Sequence, residues 1–226
     1  MPSVSDLMVP TRCKSCEGAC VKYGKVNDVQ RYRCKGCGSQ WVSTYKYSAY
    51  EPSTNKWIIG LNRECCGIRS IGRLLDISPT TVMERIMKLS KEVKKPLITK
   101  GRTYEVDELR TYLGNKDVEY WVCLAVDKQT GQVVDMSVGK RTKKMIARVI
   151  DTLLLAEAKK IYTDGLNIYK SLIPPKLHCV KRYRINKVER KNLDLRNSLK
   201  RLVRRGIGFS KSSAMLEASV KLCLWG

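Results

Sequence analysis

The chain has 226 residues, a formal charge of +23 from 44 Lys and Arg against 21 Asp and Glu, and 43% apolar residues. That is enough for one large domain or two to three small ones, and too apolar for wholesale disorder. No run reaches the roughly 18 apolar residues of a membrane span, and Met1-Pro2-Ser3-Val4-Ser5-Asp6 has neither the basic start nor the apolar stretch of a secretory signal. A cytosolic protein with no membrane partner is therefore expected, with its ten cysteines as free thiols or metal ligands. Its positive excess calls for a polyanionic partner, which fits a ribosomal protein as well as a DNA-binding one.

The charge divides the chain. Residues 1–50 hold 8 basic and 3 acidic side chains, 51–100 hold 10 and 5, 101–173 hold 12 and 10, and 174–226 hold 14 and 3. A near-neutral centre between basic flanks suits an enzyme core between surfaces that grip a nucleic-acid backbone. The plainer alternative places the central acids on solvated turns.

Residues 1–50 read as a zinc ribbon. Cys13-Lys14-Ser15-Cys16 and Cys34-Lys35-Gly36-Cys37 are two Cys-x-x-Cys pairs separated by 17 residues. Each pair lets one tight turn present two thiolates to a tetrahedral ion, and four thiolates make a closed, structural Zn²⁺ site. Val21, Tyr23, Val26, Val29 and Tyr32, with turn residues Gly24 and Asn27-Asp28, form a β-hairpin between them, and Trp41-Val42 adds a third strand. Cys20 is a competing ligand. Cys13 and Cys16 are preferred because they mirror the second pair. Cys65, Cys66, Cys123, Cys179 and Cys223 read as small buried apolar residues.

Residues 51–95 read as a helix-turn-helix domain. A first helix over Thr54–Glu64 carries Trp57, Ile58 and Leu61. Arg69–Leu75 is a short second helix, and Asp76-Ile77-Ser78-Pro79 is the turn, with Ser78 as N-cap and Pro79 as first helical residue. A third helix from Thr80 to Leu89 turns Val82, Ile86 and Leu89 inward and Thr80, Thr81, Glu84, Arg85 and Lys88 outward. This arrangement sets a third helix in a DNA major groove, although an ordinary three-helix bundle shares the pattern. Lys91–Lys100 reads as a linker.

Residues 96–226 read as an α/β domain. Strands are expected over Arg102–Leu109, Tyr120–Val126 and Gln132–Val138, then a helix over Thr142–Ala158. A strand over Lys160–Thr163, a helix over Leu166–Leu172 and a strand over Lys176–Tyr183 follow. A long basic helix from Asn186 carries Val188, Leu193, Leu195, Leu199 and Leu202. This is the element order of an RNase H-like domain. There a carboxylate on the first strand lies beside one at the end of the fourth, and a third on the following helix reaches the same point. Asp107, Asp164 and Glu189 occupy those places. Three converging carboxylates suit two Mg²⁺ (or Mn²⁺) ions about 4 Å apart, which phosphoryl transfer on DNA uses without a nucleophilic side chain. Glu108 competes with Asp107, but successive strand residues face opposite ways, and Glu105 is the one that shares Asp107's face. His178 either assists at phosphate or is a hydrogen-bonded strand histidine. Asp127 and Asp135 read as hairpin residues. Lys181–Arg205 holds 11 basic residues in 25, and Arg190, Arg196, Lys200, Arg201, Arg204 and Arg205 suit a phosphate backbone.

With these residues in place, the chain resembles the insertion-sequence-one (IS-one) family of bacterial DNA transposases over nearly its whole length. The resemblance rests on Cys13/Cys16 with Arg31-Tyr32-Arg33-Cys34-x-x-Cys37, on Asp107-Glu108-Leu109, and on Thr163-Asp164-Gly165. It rests most specifically on Lys181-Arg182-Tyr183, Glu189–Arg196 and Phe209-Ser210-Lys211-Ser212. It implies an acidic-triad enzyme with Asp107, Asp164 and Glu189 as triad and 24 residues between the last two. It further implies recognition of terminal inverted repeats by the ribbon and helix-turn-helix, release of 3′-hydroxyls and their joining to target DNA. A bacterial, nucleoid-associated cytoplasmic enzyme is then expected, acting as a homodimer or higher oligomer, since two identical ends call for two identical subunits. The last helix is expected to be short, because the sequence stops at Leu224-Trp225-Gly226. The alternative function is a DNA-binding repressor of the element with an inactive catalytic domain, against which the intact acids argue. A cellular nuclease or resolvase of similar fold is a further one, disfavoured by the two DNA-binding elements.

Overall fold

The computed structural model describes residues 12–13, 15–44, 47–180, 185–203 and 205–226. Lys181, Arg182, Tyr183 and Arg204, which the sequence singles out, lie outside them. Two compact units are present, residues 1–54 with 75–77, and residues 55–74 with 78–226.

In the first unit β1 (Cys20–Val26), β2 (Val29–Cys34) and β3 (Gln40–Val42) form an antiparallel sheet in that order. Asn27 and Asp28 both have left-handed φ, 47° and 63°, which matches the tight hairpin turn that follows the twist of the strands. Tyr32 stacks on Trp41 at 6.3 Å. Six of the seven β1 residues are exposed, so the sheet buries little apolar surface and needs another source of stability.

The second unit begins with helices. α1 (Thr54–Arg63) and α2 (Ile68–Leu75) lie within one residue of the expected bounds, whereas α3 (Pro79–Glu92) runs three residues past Leu89 into the segment expected as linker. Ser78 Oγ accepts from Thr81 N at 3.0 Å, capping α3, and Pro79 opens the helix. Ile58, Val82 and Ile86 are fully buried, but Trp57 is 59% exposed. Adjacent helical positions point about 100° apart, so Trp57 and Ile58 cannot both face inward. α3 packs against the last helix, α7 (Ser213–Trp225), and α1 is tied to it by Asn62 Nδ2 donating to Ser219 O at 3.1 Å.

A five-stranded sheet follows, built from β4 (Thr103–Leu113), β5 (Asn115–Asp127), β6 (Val133–Gly139), β7 (Lys160–Thr163) and β8 (His178–Val180). Its order is β6-β5-β4-β7-β8, with β6, β5 and β4 antiparallel and β7 and β8 parallel to β4. The first strand is therefore central and neighbours the fourth, as the element order implied. Alternation along the strands sorts the core. Tyr104, Val106, Cys123 and Ala125 meet α4 (Lys143–Leu155) on one face, while Leu109, Val122, Leu124 and Val126 meet α6 (Asn186–Ser198) and α7 on the other. Each of these buried side chains contributes about 1.5–3 kcal/mol for the large aliphatics.

Several boundaries differ from expectation. β4 and β5 run on to a turn at Gly114 (φ 75°), so the hairpin is much taller than the apolar pattern suggests. Residues 115–119 are exposed, and polar strand residues look like loop when read alone. α5 is only Asn167–Lys170. The long basic helix is broken: α6 ends at Ser198, Leu199 is extended, and Lys200–Leu202 form a 3-10 turn. The break is held by tertiary hydrogen bonds, Cys65 N to Ser198 O (2.8 Å) and Thr111 Oγ1 to Arg201 O (3.3 Å). Leu193, expected inside, is 57% exposed. Of the five cysteines read as buried, only Cys123 is fully so; Cys65, Cys66, Cys179 and Cys223 are half-buried.

Candidate active site and metal centres

The N-terminal thiols meet as their spacing requires. Cys13, Cys16, Cys34 and Cys37 have Sγ atoms all within 4.8 Å of one another. Cys13 lies 3.6 Å from Cys37 and Cys16 lies 3.4 Å from Cys34, so each Cys-x-x-Cys turn faces the other. Cys20 stays outside the group and points its Sγ at Gly18 O, 3.4 Å away. Backbone N–H groups of Gly36 and Cys37 approach Cys34 Sγ at 3.3 and 3.5 Å, which favours a thiolate there. Cys37 is held down to about 6, first by the Ser39 hydroxyl and backbone. The first turn leaves little room beside the sulfurs: a Cβ at Gly18 would lie 3.3 Å from both Cys16 Sγ and Cys34 Sγ. Four thiols in this cradle fit one tetrahedral Zn²⁺.

The acidic group forms where β7 ends beside β4. Their parallel register pairs Thr103 with Lys160, Tyr104 with Ile161 and Glu105 with Tyr162. Continued two residues, it sets Asp164 beside Asp107. Gly165 permits the chain to turn away there: its φ is 93°, and a Cβ would meet Val180 Cγ1 at 2.7 Å. Asp164 Oδ1 accepts from Leu166 N at 3.0 Å. Carboxylate oxygens of Asp107, Glu108 and Asp164 lie within 4.8 Å of one another.

Glu108, the competitor of Asp107 in the sequence, joins the group beside it. It does sit on the opposite face of β4 from Asp107, among Cys123 and Tyr169, with Arg141 Nη2 donating to its Oε2 at 3.2 Å. Their carboxylate oxygens nevertheless lie within 4.8 Å of each other, beyond the end of β7. Burial raises Asp107 to about 6, reinforced by the charges of Glu108 and Asp164. Glu108 is also raised, first by burial, with Arg141 opposing.

Helix α6 is registered on β4 by two polar contacts that the sequence did not reveal. Glu105, 1% exposed, accepts through Oε2 from Lys187 N (2.8 Å) and Val188 N (3.0 Å), capping a helix that lacks a local side-chain cap. Asn192 Nδ2 donates to Asp107 Oδ2 at 2.8 Å. The spacings agree: two strand residues rise about 6.6 Å, and four helical residues from Val188 to Asn192 rise about 6 Å. Alternation could have flagged Glu105, which shares Asp107's face, but nothing in the sequence marks Asn192.

Glu189 lies one helical turn before Asn192 and is exposed; its carboxylate is not part of the close group among the described residues. His178 Nε2 bonds Thr163 Oγ1 at 2.8 Å, directly behind Asp164, and its pKa is lowered, first by burial. Among the described residues two buried acceptors at the group, Glu108 Oε1 and Asn192 Oδ1, have no hydrogen-bond partner. Clustered carboxylates with unpartnered acceptor oxygens fit a hydrated Mg²⁺ or Mn²⁺, which takes oxygen ligands and keeps bound waters as donors.

The DNA-facing candidates separate. Thr80, Lys88, Arg190, Lys200 and Arg205 are exposed, Thr81 is half-buried, and Arg85 is half-buried with Nη1 on Asn55 Oδ1 at 3.3 Å. Arg196 is bound to Leu202 O (3.2 Å) and Arg110 O (3.3 Å), and Arg201 is buried. Asp127 is a hairpin residue, its Oδ1 accepting from Gln129 N at 2.7 Å, whereas Asp135 pairs with Lys95 of the expected linker.

A family model described as IS1 transposase matches residues 102–223, just over half of the chain. The chain belongs to that family. The insertion element IS1 protein InsB of Shigella flexneri is 36% identical over 108 residues, which is 48% of this chain and 82% of that protein. The insertion element IS1 2 protein InsB of Escherichia coli (strain K12) is 35% identical over 108 residues, 48% of this chain and 65% of that protein. Among solved structures, the HTLV-2 integrase catalytic core domain in complex with magnesium (trimeric form) is 16% identical, with a TM-score of 0.35 over 55% of this chain and 86% of that one. The family match covers β4 through nearly all of α7, and so contains the whole acidic group. No helix among the described residues is long and apolar enough to cross a membrane.

Proposed function

We propose that this IS1-family protein is a DNA transposase that binds the terminal inverted repeats of its element, cleaves the ends to 3′-hydroxyls and joins them to target DNA. The observation that carries this reading is the convergence of Asp107, Glu108 and Asp164 at the end of β7, inside the region of family resemblance. We assign ion binding to Asp107, Asp164 and Glu189, the last standing on α6 one turn from the Asn192 contact. Mg²⁺ (or Mn²⁺) held there supplies the Lewis acidity that phosphodiester cleavage and strand transfer require. The chain's own residues prepare the site. Asn192 orients Asp107, Glu105 sets the position of α6, and His178 fixes Thr163 behind Asp164.

In this reading residues 1–50 are a ribbon carrying one structural Zn²⁺, 51–95 a helix-turn-helix, and 96–226 the RNase H-like catalytic part. Thr80, Thr81, Arg85 and Lys88 read the end sequence, and Arg190, Arg196, Lys200, Arg201, Arg204 and Arg205 hold the backbone. Pairing of two ends makes the active form a homodimer or larger. The test is Asp164→Ala. End cleavage should vanish while binding to a duplex of the element's end persists. Strand transfer retained by that variant overturns the assignment.

A further inference from the structure

The basic segment after α6 turns inward. Leu199 and Leu202 are each 1% exposed, and Arg201 between them is 9% exposed. Arg201 Nη1 donates to Ser210 Oγ at 2.6 Å. Among the described residues no carboxylate lies within ion-pair distance of its guanidinium. One neutral hydroxyl is poor compensation for a buried cation, and buried charges in folded proteins are normally paired. Burial alone brings Arg201 down to about 10.

Arg201 faces a cavity of about 720 Å³. Arg69 at the start of α2, Lys200 of the 3-10 turn and Lys211 before α7 line it with Arg201, and no Asp or Glu does. Four cations around one concavity without an acid create a positive focus that a solvated surface would normally break up with acids. The basic side of this otherwise largely apolar wall suits an anion. Part of the wall comes from the helix-turn-helix, through Arg69, Pro79 and Met83. An anion held there is next to whatever α3 reads. A guanidinium fork matches two oxygens of a phosphate better than it matches a point charge.

We propose that this cavity seats a backbone phosphodiester of the DNA read by α3, gripped by Arg201 and ringed by Arg69, Lys200 and Lys211. The inference rests on the DNA-binding reading above and makes it specific: Arg201 is not one of a row of exposed contacts but the buried floor of a phosphate seat. Its charge is uncompensated until DNA arrives. Removing it should therefore weaken DNA binding without weakening the fold, because replacing a buried charge by an apolar side chain of similar volume is often neutral or stabilising.

The experiment uses the full, zinc-loaded chain and a duplex of the element's own end. Arg201→Met should raise Kd about ten- to a hundredfold at low salt and lower the slope of log affinity against log salt by about 1. Its DNA-free melting temperature should stay level or rise. Arg201→Lys keeps the charge without the fork, so it should keep the slope and lose part of the affinity; it also serves if the methionine variant does not fold. Neutral methylphosphonate placed along the duplex should identify one position whose loss harms the wild type and leaves Arg201→Met unaffected. Unchanged affinity and slope in Arg201→Met overturn the proposal, and so does a fall in its DNA-free stability. Inorganic phosphate tests the other source. If it raises the wild-type melting temperature and not that of Arg201→Met, while both bind DNA alike, the seat belongs to a free anion. A wild-type protein that shows no preference for the end duplex sinks the proposed function instead, which separates the two failures.

Discussion

The four-thiol group and the acidic group are both suited to metal, yet they are built in opposite ways. Cys13, Cys16, Cys34 and Cys37 come from two turns on one hairpin, and each turn contributes two ligands three residues apart. Their sheet is thinly buried, so the metal would supply the stability that the core lacks. Asp107, Glu108 and Asp164 come from two strands more than fifty residues apart, inside a large core that folds around them. The cost appears as the raised pKa values of Asp107 and Glu108, first from burial, and as unpartnered acceptor oxygens among the described residues. A structural site draws on its ion for stability, whereas a catalytic one draws on its fold to hold like charges together.

That contrast can be broken. The largest effect should come from Asp107→Asn, which should abolish end cleavage and strand transfer and leave zinc content, end binding and fold intact, checked by gel assays beside metal analysis. Loss of zinc in that variant would mean that the two centres are not independent. Next, Cys34→Ser should release the zinc and unfold residues 12–44, because structural zinc is worth about 10–16 kcal/mol in small peptides. End affinity should fall while Mn²⁺ binding at the acidic group persists. A smaller effect is expected of Asn192→Leu: about ten- to a hundredfold weaker Mn²⁺ binding, read by electron paramagnetic resonance, with little change in metal-free melting. Wild-type Mn²⁺ affinity in that variant would remove Asn192 from the site. The smallest belongs to Cys20→Ser, which should keep one zinc per chain and shift stability by no more than about 0.5 kcal/mol.

Legibility followed the range of the interactions. Ser78 and Pro79 announce the start of α3 because an N-cap acts on an N–H three residues away. Asp164 was readable because it follows the fourth strand of the expected element order, next to the first strand in the sheet. The height of the β4–β5 hairpin was not, since exposed polar strands carry no apolar alternation. Nor was the place of Glu108: alternation sets it opposite Asp107, yet its carboxylate meets those of Asp107 and Asp164. The same holds for the break after Ser198. Leu195, Leu199 and Leu202 suit a continuous helix, and only donors from distant segments, Cys65 and Thr111, stabilise the turn.

The excess of charge and the ten cysteines each divide between the two levels. The sequence alone determined that four cysteines come together, that a capped helix follows a turn, and that Asp107 and Asp164 lie side by side. These depend on spacing and on backbone preferences that act over a few residues, or on an element order with few possible topologies. The tertiary structure decided that Glu108 joins the acids, that Asn192 and Glu105 register α6 against β4, and that Arg201 is buried at a cavity wall. Those outcomes depend on where strands end and helices break, which is settled by packing and hydrogen bonding between segments far apart in the chain.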